Sequence, residues 1–264
     1  MNPEQLQQFQ ELQKVVKEIQ TQRLPYNLDV ESKKVIKKTV DEFSSDDVFD
    51  SIRQKVFNWI TLFDSIDGYG KTGIGTATVT LTGSGGVLLN TGATAPGDYE
   101  EVDKTIANKS LLSFSQKSYL RAIFQYSANG DATKGTGYIV VGDFAGGVTP
   151  GWYGFKIASS NLYGVCHDGT TEATVLLVAG IANPSTYLVE ARFEPSNKVV
   201  FLVGPAIYQL GNDLIEMGTL TVNLPPASSE HSTVMFLRMA TSEAAAKFLN
   251  VNYYEYAQNR NSIR

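Results

Sequence analysis

Apolar positions follow two rhythms along this chain of 264 residues. Before about residue 60 they recur at intervals of three and four; after Asp67-Gly68 they alternate with polar ones. The first rhythm is that of a helix with one apolar stripe, the second that of strands with one buried face. From Asn2 onward a heptad frame places Phe9, Val16 and Arg23 at position a and Leu12 and Ile19 at position d. Gln and Glu fill most of the remainder, so the apolar seam is narrow and suits a partner helix. A helix this short is marginal alone in water. The seam Phe9, Leu12, Val16, Ile19 therefore predicts association with another copy, with a different protein or with the chain's own β region. Pro25 ends this helix. A second is expected over about residues 30–43, with Val35, Ile36, Val40 and Phe43 on one face, and helical spacing continues through Val48, Ile52, Val56 and Trp59.

Short β-prone runs then follow one another. Thr76–Thr82, Tyr119–Tyr126, Tyr138–Val141, Trp152–Ala158, Thr174–Ala179, Tyr187–Phe193, Val199–Val203, Thr233–Met239 and Phe248–Tyr256 all fit the pattern. Turn signals separate them, among them Gly83-Ser84-Gly85-Gly86, Asn129-Gly130, Asp168-Gly169 and Pro195-Ser196-Asn197. The clearest unit is Tyr187–Val203. Tyr187, Val189, Ala191 and Phe193 share one face, Glu190 and Arg192 the other, and the turn at Glu194-Pro195-Ser196-Asn197 returns the chain. This predicts a hairpin with one buried and one wet face. Ten to twelve such strands without intervening helices predict an antiparallel sandwich.

Composition sharpens the boundary between the two rhythms. None of the 23 glycines precedes Gly68, whereas 21 of the 49 charged residues lie in the first 67. The net charge of −5 is spread over both parts, so neither builds the basic footprint that nucleic acid requires. The basic run Lys33, Lys34, Lys37, Lys38 is flanked by Asp29, Glu31, Asp41 and Glu42 and reads as a solvated helix face. No apolar run is long enough to span a membrane, and the polar stretch Met1–Gln10 contains no export signal region. Cys166 is the only cysteine, and only His167 and His231 join it, so neither a disulfide framework nor a transition-metal site is expected. Synthesis and folding in a reducing cytoplasm are expected.

The order of pieces carries a resemblance. Phe63-Asp64-Ser65-Ile66-Asp67-Gly68-Tyr69 precedes a Gly/Thr-rich strand, followed by Gly154-Phe155-Lys156-Ile157. Leu162-Tyr163-Gly164-Val165 and His167-Asp168-Gly169-Thr170-Thr171-Glu172 come next, then Tyr187–Phe193 and the closing strand Phe248–Tyr256. This order resembles the concanavalin A-like (laminin G-like) jelly-roll domain of virion structural proteins, particularly those of tailed phages. The resemblance covers roughly residues 60–258. It implies a two-sheet jelly roll displayed on a particle surface, often trimeric, with the N-terminal segment as anchor or trimeriser.

Chemistry is thinly supplied. The glycoside hydrolases of this fold carry Glu-x-Asp-x-x-Glu or Glu-x-Asp-x-Glu on one strand, and no such string occurs here. Cys166-His167-Asp168 looks like a nucleophile, base and orienter in a row, but neighbours on an extended chain point to opposite faces. Gly83-Ser84-Gly85-Gly86 leads into the strand Val87-Leu88-Leu89 rather than a helix, which argues against a phosphate cradle. Asp98, Asp103, Asp143 and Asp168 fall in expected loops and are the candidates for a structural calcium; no other cofactor is expected. Trp152 and Tyr153, after a Gly/Pro-rich loop, are the candidate sugar-stacking pair; the alternative is that Trp152 starts a strand and enters the core.

These readings predict a mainly β jelly-roll sandwich over 57–264, preceded over 1–56 by an α-helical, short coiled-coil-like segment. The expected function is a non-enzymatic virion surface protein, a decoration, fibre or spike. It would be homo-oligomeric, expected to be a trimer, and held to other virion proteins through its N-terminal helices. The alternative is a receptor- or carbohydrate-binding module that takes host-surface glycans. A glycoside hydrolase is the remote alternative.

Overall fold

The computed structural model describes residues 56–259, apart from positions 64, 84, 107–111, 145–150, 206–213 and 229. The expected N-terminal helices, with Phe9, Leu12, Val16 and Ile19, lie outside the described residues. Among the described residues fifteen strands follow in chain order. They are β1 (Val56–Thr61), β2 (Gly70–Ile74), β3 (Thr78–Leu81), β4 (Val87–Asn90), β5 (Tyr99–Thr105), β6 (Ser118–Ala128), β7 (Gly135–Gly142) and β8 (Trp152–Ala158). The rest are β9 (Asn161–His167), β10 (Glu172–Val178), β11 (Ser185–Glu194), β12 (Lys198–Pro205), β13 (Ile215–Leu220), β14 (Thr233–Thr241) and β15 (Lys247–Asn259). The described residues contain no α-helix; a single 3-10 turn at Ala132–Lys134 links β6 to β7.

The strands form two sheets, and every named pairing is antiparallel. An eight-stranded sheet has the order β13-β12-β11-β6-β15-β4-β3, with β1 also on β15. A seven-stranded sheet has the order β10-β9-β8-β7-β14-β5-β2. β15 is the spine of the first sheet. One of its edges runs along β6 from Lys247 to Gln258, while β4 takes Phe248–Val251 of the other edge and β1 takes Tyr254–Asn259. The first strand thus comes from the end of the glycine-free segment, where the spacing of Val56 and Trp59 was expected to continue a helix.

Alternation does the packing. Leu120, Ala122, Phe124 and Tyr126 of β6 are fully buried, while the residues between them are partly exposed. They meet Val189, Ala191 and Phe193 of β11, Phe201 of β12, and Tyr153, Phe155 and Ile157 of β8 in one apolar core between the sheets. The sheets approach closely at Gly164 of β9: a Cβ there would lie 2.5 Å from the ring of Phe201.

Three strands escape the sequence pattern. β2 (GKTGI) is exposed throughout, and β5 (YEEVDKT) contributes a single apolar core residue, Val102. β13 is an edge strand with an irregular register against β12. Asp103, expected in a loop, lies within β5. The hairpin Tyr187–Val203 is present as β11–β12, but its outer face is not simply wet, since Glu190 keeps only 2% exposure.

Candidate functional site

The outer face of the eight-stranded sheet gathers the ionisable side chains. Three neighbouring strands carry polar or ionisable residues at alternate positions. These are Tyr119 and Arg121 on β6, Glu190 and Arg192 on β11, and Tyr253 and Glu255 on β15. The register aligns them, with Arg121 directly opposite Glu190 on one side and Glu255 on the other. Period-two alternation explains the outward direction on β6 and β11. On β15 it does not. Leu249 and Val251 are buried, and an unbroken strand would turn Tyr253 and Glu255 inward as well. A bulge at Asn252 resets the alternation, so Tyr254 and Tyr256 enter the core and Tyr253 and Glu255 emerge. The Asn252 side chain donates to the Gly85 carbonyl at 2.8 Å, fixing the bulge to the turn before β4.

The contacts within the row are charge-assisted. Arg121 Nε donates to Glu190 Oε2 at 2.7 Å, with Nη2 closer still to the same oxygen. Arg192 Nε donates to Glu190 Oε1 at 2.5 Å. Glu255 accepts from the Tyr119 hydroxyl and the Tyr253 hydroxyl, each at 2.5 Å, and lies 3.9 Å from Arg121 Nη1. Burial, reinforced by hydrogen bonding to the Glu255 carboxylate, pushes both phenols well above the ordinary tyrosine value. Burial of Arg121 alone would lower its pKa, but Glu190 and Glu255 outweigh it and the net direction is upward. The Glu190 side chain keeps 3% exposure, Arg121 29% and Arg192 57%, so the arginines face the solvent and the carboxylates hold them from below. Leu188 and Leu202 are buried on this same outer face beside the row.

A cavity of about 260 Å³ opens where β6 begins, lined by Lys117, Ser118, Tyr119, Arg192, Phe193, Glu194, Ala257 and Gln258. Ser118 is paired to Phe193 and Gln258, and β11 and β15 each run one residue further, which leaves a notch at the strand start. Its floor is rigid. The Ser118 hydroxyl bonds the Tyr153 hydroxyl at 2.8 Å, and Gln258 accepts from the Ser113 N–H at 3.3 Å.

The expected sugar-stacking pair is split by the alternation of β8. Tyr153 points into the core with no exposure. Trp152 points to the outer face of the seven-stranded sheet and keeps 5% exposure. It stacks on His167 at 5.1 Å and packs against Phe144 at 4.9 Å and edge-on to Tyr138 at 5.9 Å. Both rings are therefore packed on their flanks, the arrangement of strand residues rather than of a loop platform. Cys166 and His167 face opposite sides of β9, and Asp168 folds into its own turn by accepting from Thr170 and Thr171. Burial pushes the Cys166 thiol up.

The four candidate calcium aspartates do not converge. Asp98 accepts from Thr94 Oγ1 and the Ala95 N–H within its own loop, and Asp143 accepts from Ser232 and Thr233 at the start of β14, so each is engaged separately. Among the described residues no group of three His, Cys, Asp or Glu side chains is placed to hold a metal ion.

Sequence reasoning missed Arg121, Glu255 and the cavity. A signal was present in the i, i+2 spacing of Tyr119-x-Arg121, Glu190-x-Arg192 and Tyr253-x-Glu255. Its meaning depends on which strands are neighbours and on the β15 bulge.

No family model matches the chain, and no curated protein sequence matches it. Solved structures do. A protein of unknown function from Shewanella oneidensis MR-1 superposes with a TM-score of 0.56 at 10% identity, over 91% of this chain and 98% of that one. The CBM2 module of the evolved Dit of Lactobacillus casei BL23 phage J-1 gives 0.53 at 12% identity, over 80% and 99%. Basic winged bean lectin, solved with Tn-antigen, gives 0.52 at 7% identity, over 77% and 98%. At such identities the likeness speaks for the fold alone, and that fold is the lectin-like, concanavalin A-like β-sandwich.

Proposed function

We propose that this chain is a carbohydrate-binding β-sandwich displayed on a virion, and that it binds through the outer face of the eight-stranded sheet without cleaving its ligand. The observation that carries the reading is the row Glu190–Arg121–Glu255 with Tyr119, Tyr253 and Arg192 around it. Ligand sites combine apolar surface with a few converging polar groups whose positions are fixed beforehand. Here the carboxylates are buried enough to hold two arginines in place, and half-buried tyrosines flank them. A hydroxyl-rich, weakly apolar ligand suits such a surface. Glu190 and Glu255 flank Arg121 across one strand, and its guanidinium occupies the interval in which a scissile bond would have to lie. This favours binding over hydrolysis.

The likeness to a lectin and to a module of a phage protein supports the two halves of the proposal, as does the resemblance to virion jelly rolls. Residues 1–56 are proposed to oligomerise the chain, as a trimer, through Phe9, Leu12, Val16 and Ile19 and to attach it to the particle. A glycan array probed with the full chain tests the binding: retained glycans support it, and a blank array with and without calcium overturns it. Light scattering tests the oligomer. A monomer of the full chain at tens of micromolar, on the order of working concentrations for weak helix association, would remove that part.

A further inference from the structure

We infer that the notch at the start of β6 takes an acidic saccharide, one whose sugar ring bears a carboxylate. The inference rests on the carbohydrate-binding reading above and narrows its ligand class.

The argument begins with which charges are already used. Around the notch lie three cations, Lys117, Arg121 and Arg192, and three carboxylates, Glu190, Glu194 and Glu255. The sum is neutral, so net charge selects nothing. The hydrogen-bonding capacity does. Both oxygens of Glu190 are engaged by arginines, both oxygens of Glu255 by tyrosines, and Glu194 is drawn into the β11–β12 turn by the Asn197 amide at 2.8 Å. On the cationic side the reverse holds. Lys117 is exposed and, among the described residues, its ammonium has no protein partner. Arg192 spends its Nε on Glu190, and its two Nη groups have no partner among the described residues.

The arginine is therefore half-clamped. Glu190 fixes the guanidinium plane, and the free Nη1–Nη2 edge remains as a fork beside the cavity. Such a fork matches a carboxylate through two parallel hydrogen bonds. Lys117 supplies a second cation on the same rim. The Glu194 charge nearby disfavours a dianionic group, so a monoanionic carboxylate fits better than a phosphate. The cavity, about 260 Å³, falls just under the range of roughly 300–1,000 Å³ usual for ligand pockets. That size suits one ring, with the half-buried Tyr119 as one wall, rather than a long chain of sugars.

Calorimetric titration of the full chain with 3′-sialyllactose and with tri-galacturonate, against lactose and cellotriose, tests the inference. At least one acidic probe should bind roughly tenfold more tightly than its neutral counterpart, a difference of about 1.4 kcal/mol. Arg192→Gln and Lys117→Gln should each remove most of that preference. Lys117 is exposed and pairs with no described residue, so its variant should keep its melting temperature; Arg192 also holds the buried Glu190, so its variant should melt lower yet stay folded at the titration temperature, and both melting curves are measured alongside. Equal affinity for acidic and neutral probes, or an unchanged preference in both variants, overturns the inference and leaves the carbohydrate reading standing. If no saccharide binds, acidic or neutral, both fall together.

Discussion

Arg121 and Glu190 stand directly opposite each other on β6 and β11, and the arginine donates to a carboxylate that keeps only 3% of its side-chain exposure. The pair is asymmetric, since Arg121 retains 29% exposure and its charge is partly hydrated. Removing the arginine leaves Glu190 buried with Arg192 as its remaining cation. Breaking a buried pair from one side costs roughly 3–5 kcal/mol. For Arg121→Ala we predict about 3 kcal/mol, the lower end, because of that residual solvation. Urea unfolding measures it. Arg121→Met combined with Glu190→Leu should recover part of the loss, since Glu190 is then no longer stranded while Glu255 keeps its two tyrosine donors but loses its nearby cation.

His231 gives the sandwich a predictable acid limb. Its ring is fully buried, stacked on Phe114 at 4.4 Å, with Nε2 3.2 Å from the Tyr256 hydroxyl. Burial lowers its pKa from 6.5 to about 4. The unfolded chain therefore takes up this proton first as pH falls. The stability His231 preserves is complete above pH 6.5 and is lost progressively toward pH 4. At about 1.4 kcal/mol per tenfold difference in proton affinity, the full loss is about 3 kcal/mol. Unfolding free energies across that window should slope for the natural chain and flatten in His231→Gln.

The alkaline limb belongs to the tyrosines. Burial pushes the phenols of Tyr119, Tyr153, Tyr253, Tyr254 and Tyr256 far above their usual value, and Tyr126 up to about 12. The folded state thus holds protons that the unfolded state releases near pH 10, so stability falls as pH rises past that value. In an ultraviolet titration these six should not ionise with the exposed tyrosines. They should appear together with the loss of near-ultraviolet circular dichroism.

Gly164 tests the fit between sheets. A methyl group there would meet the Phe201 ring at 2.5 Å, closer than side-chain atoms approach. Gly164→Ala should cost about 1–3 kcal/mol through overpacking. Gly164→Ala combined with Phe201→Leu should cost less than the sum of the two single changes, the signature of direct contact.

The fold was largely legible in the residues. The Tyr187–Val203 hairpin, the strand at Trp152 and the closing strand all follow from period-two alternation and turn chemistry. β2 and β5 were not legible because their stability comes from neighbours. Gly70 and Gly73 pack against the side chains of Asp103 and Glu100, and a strand that buries almost nothing leaves no hydrophobic trace. The site was harder. Glu190 read as a wet-face residue because alternation sees a strand and not the arginines that adjacent strands lay over it. Glu255 was invisible for a second reason. One extra residue, Asn252, decides which face it joins, and that depends on the Gly85 carbonyl far away in sequence. Trp152 and Tyr153 stood out by residue type, but the same alternation that makes them strand residues separates them.

The central claim is that ligand meets the outer face of the eight-stranded sheet. Chemical-shift mapping of the full chain with any saccharide retained on the array tests it most directly. Perturbations should centre on Tyr119, Arg121, Arg192 and Tyr253. Perturbations confined to the opposite sheet, around Tyr138, Trp152 and His167, with this row unmoved, would contradict the account.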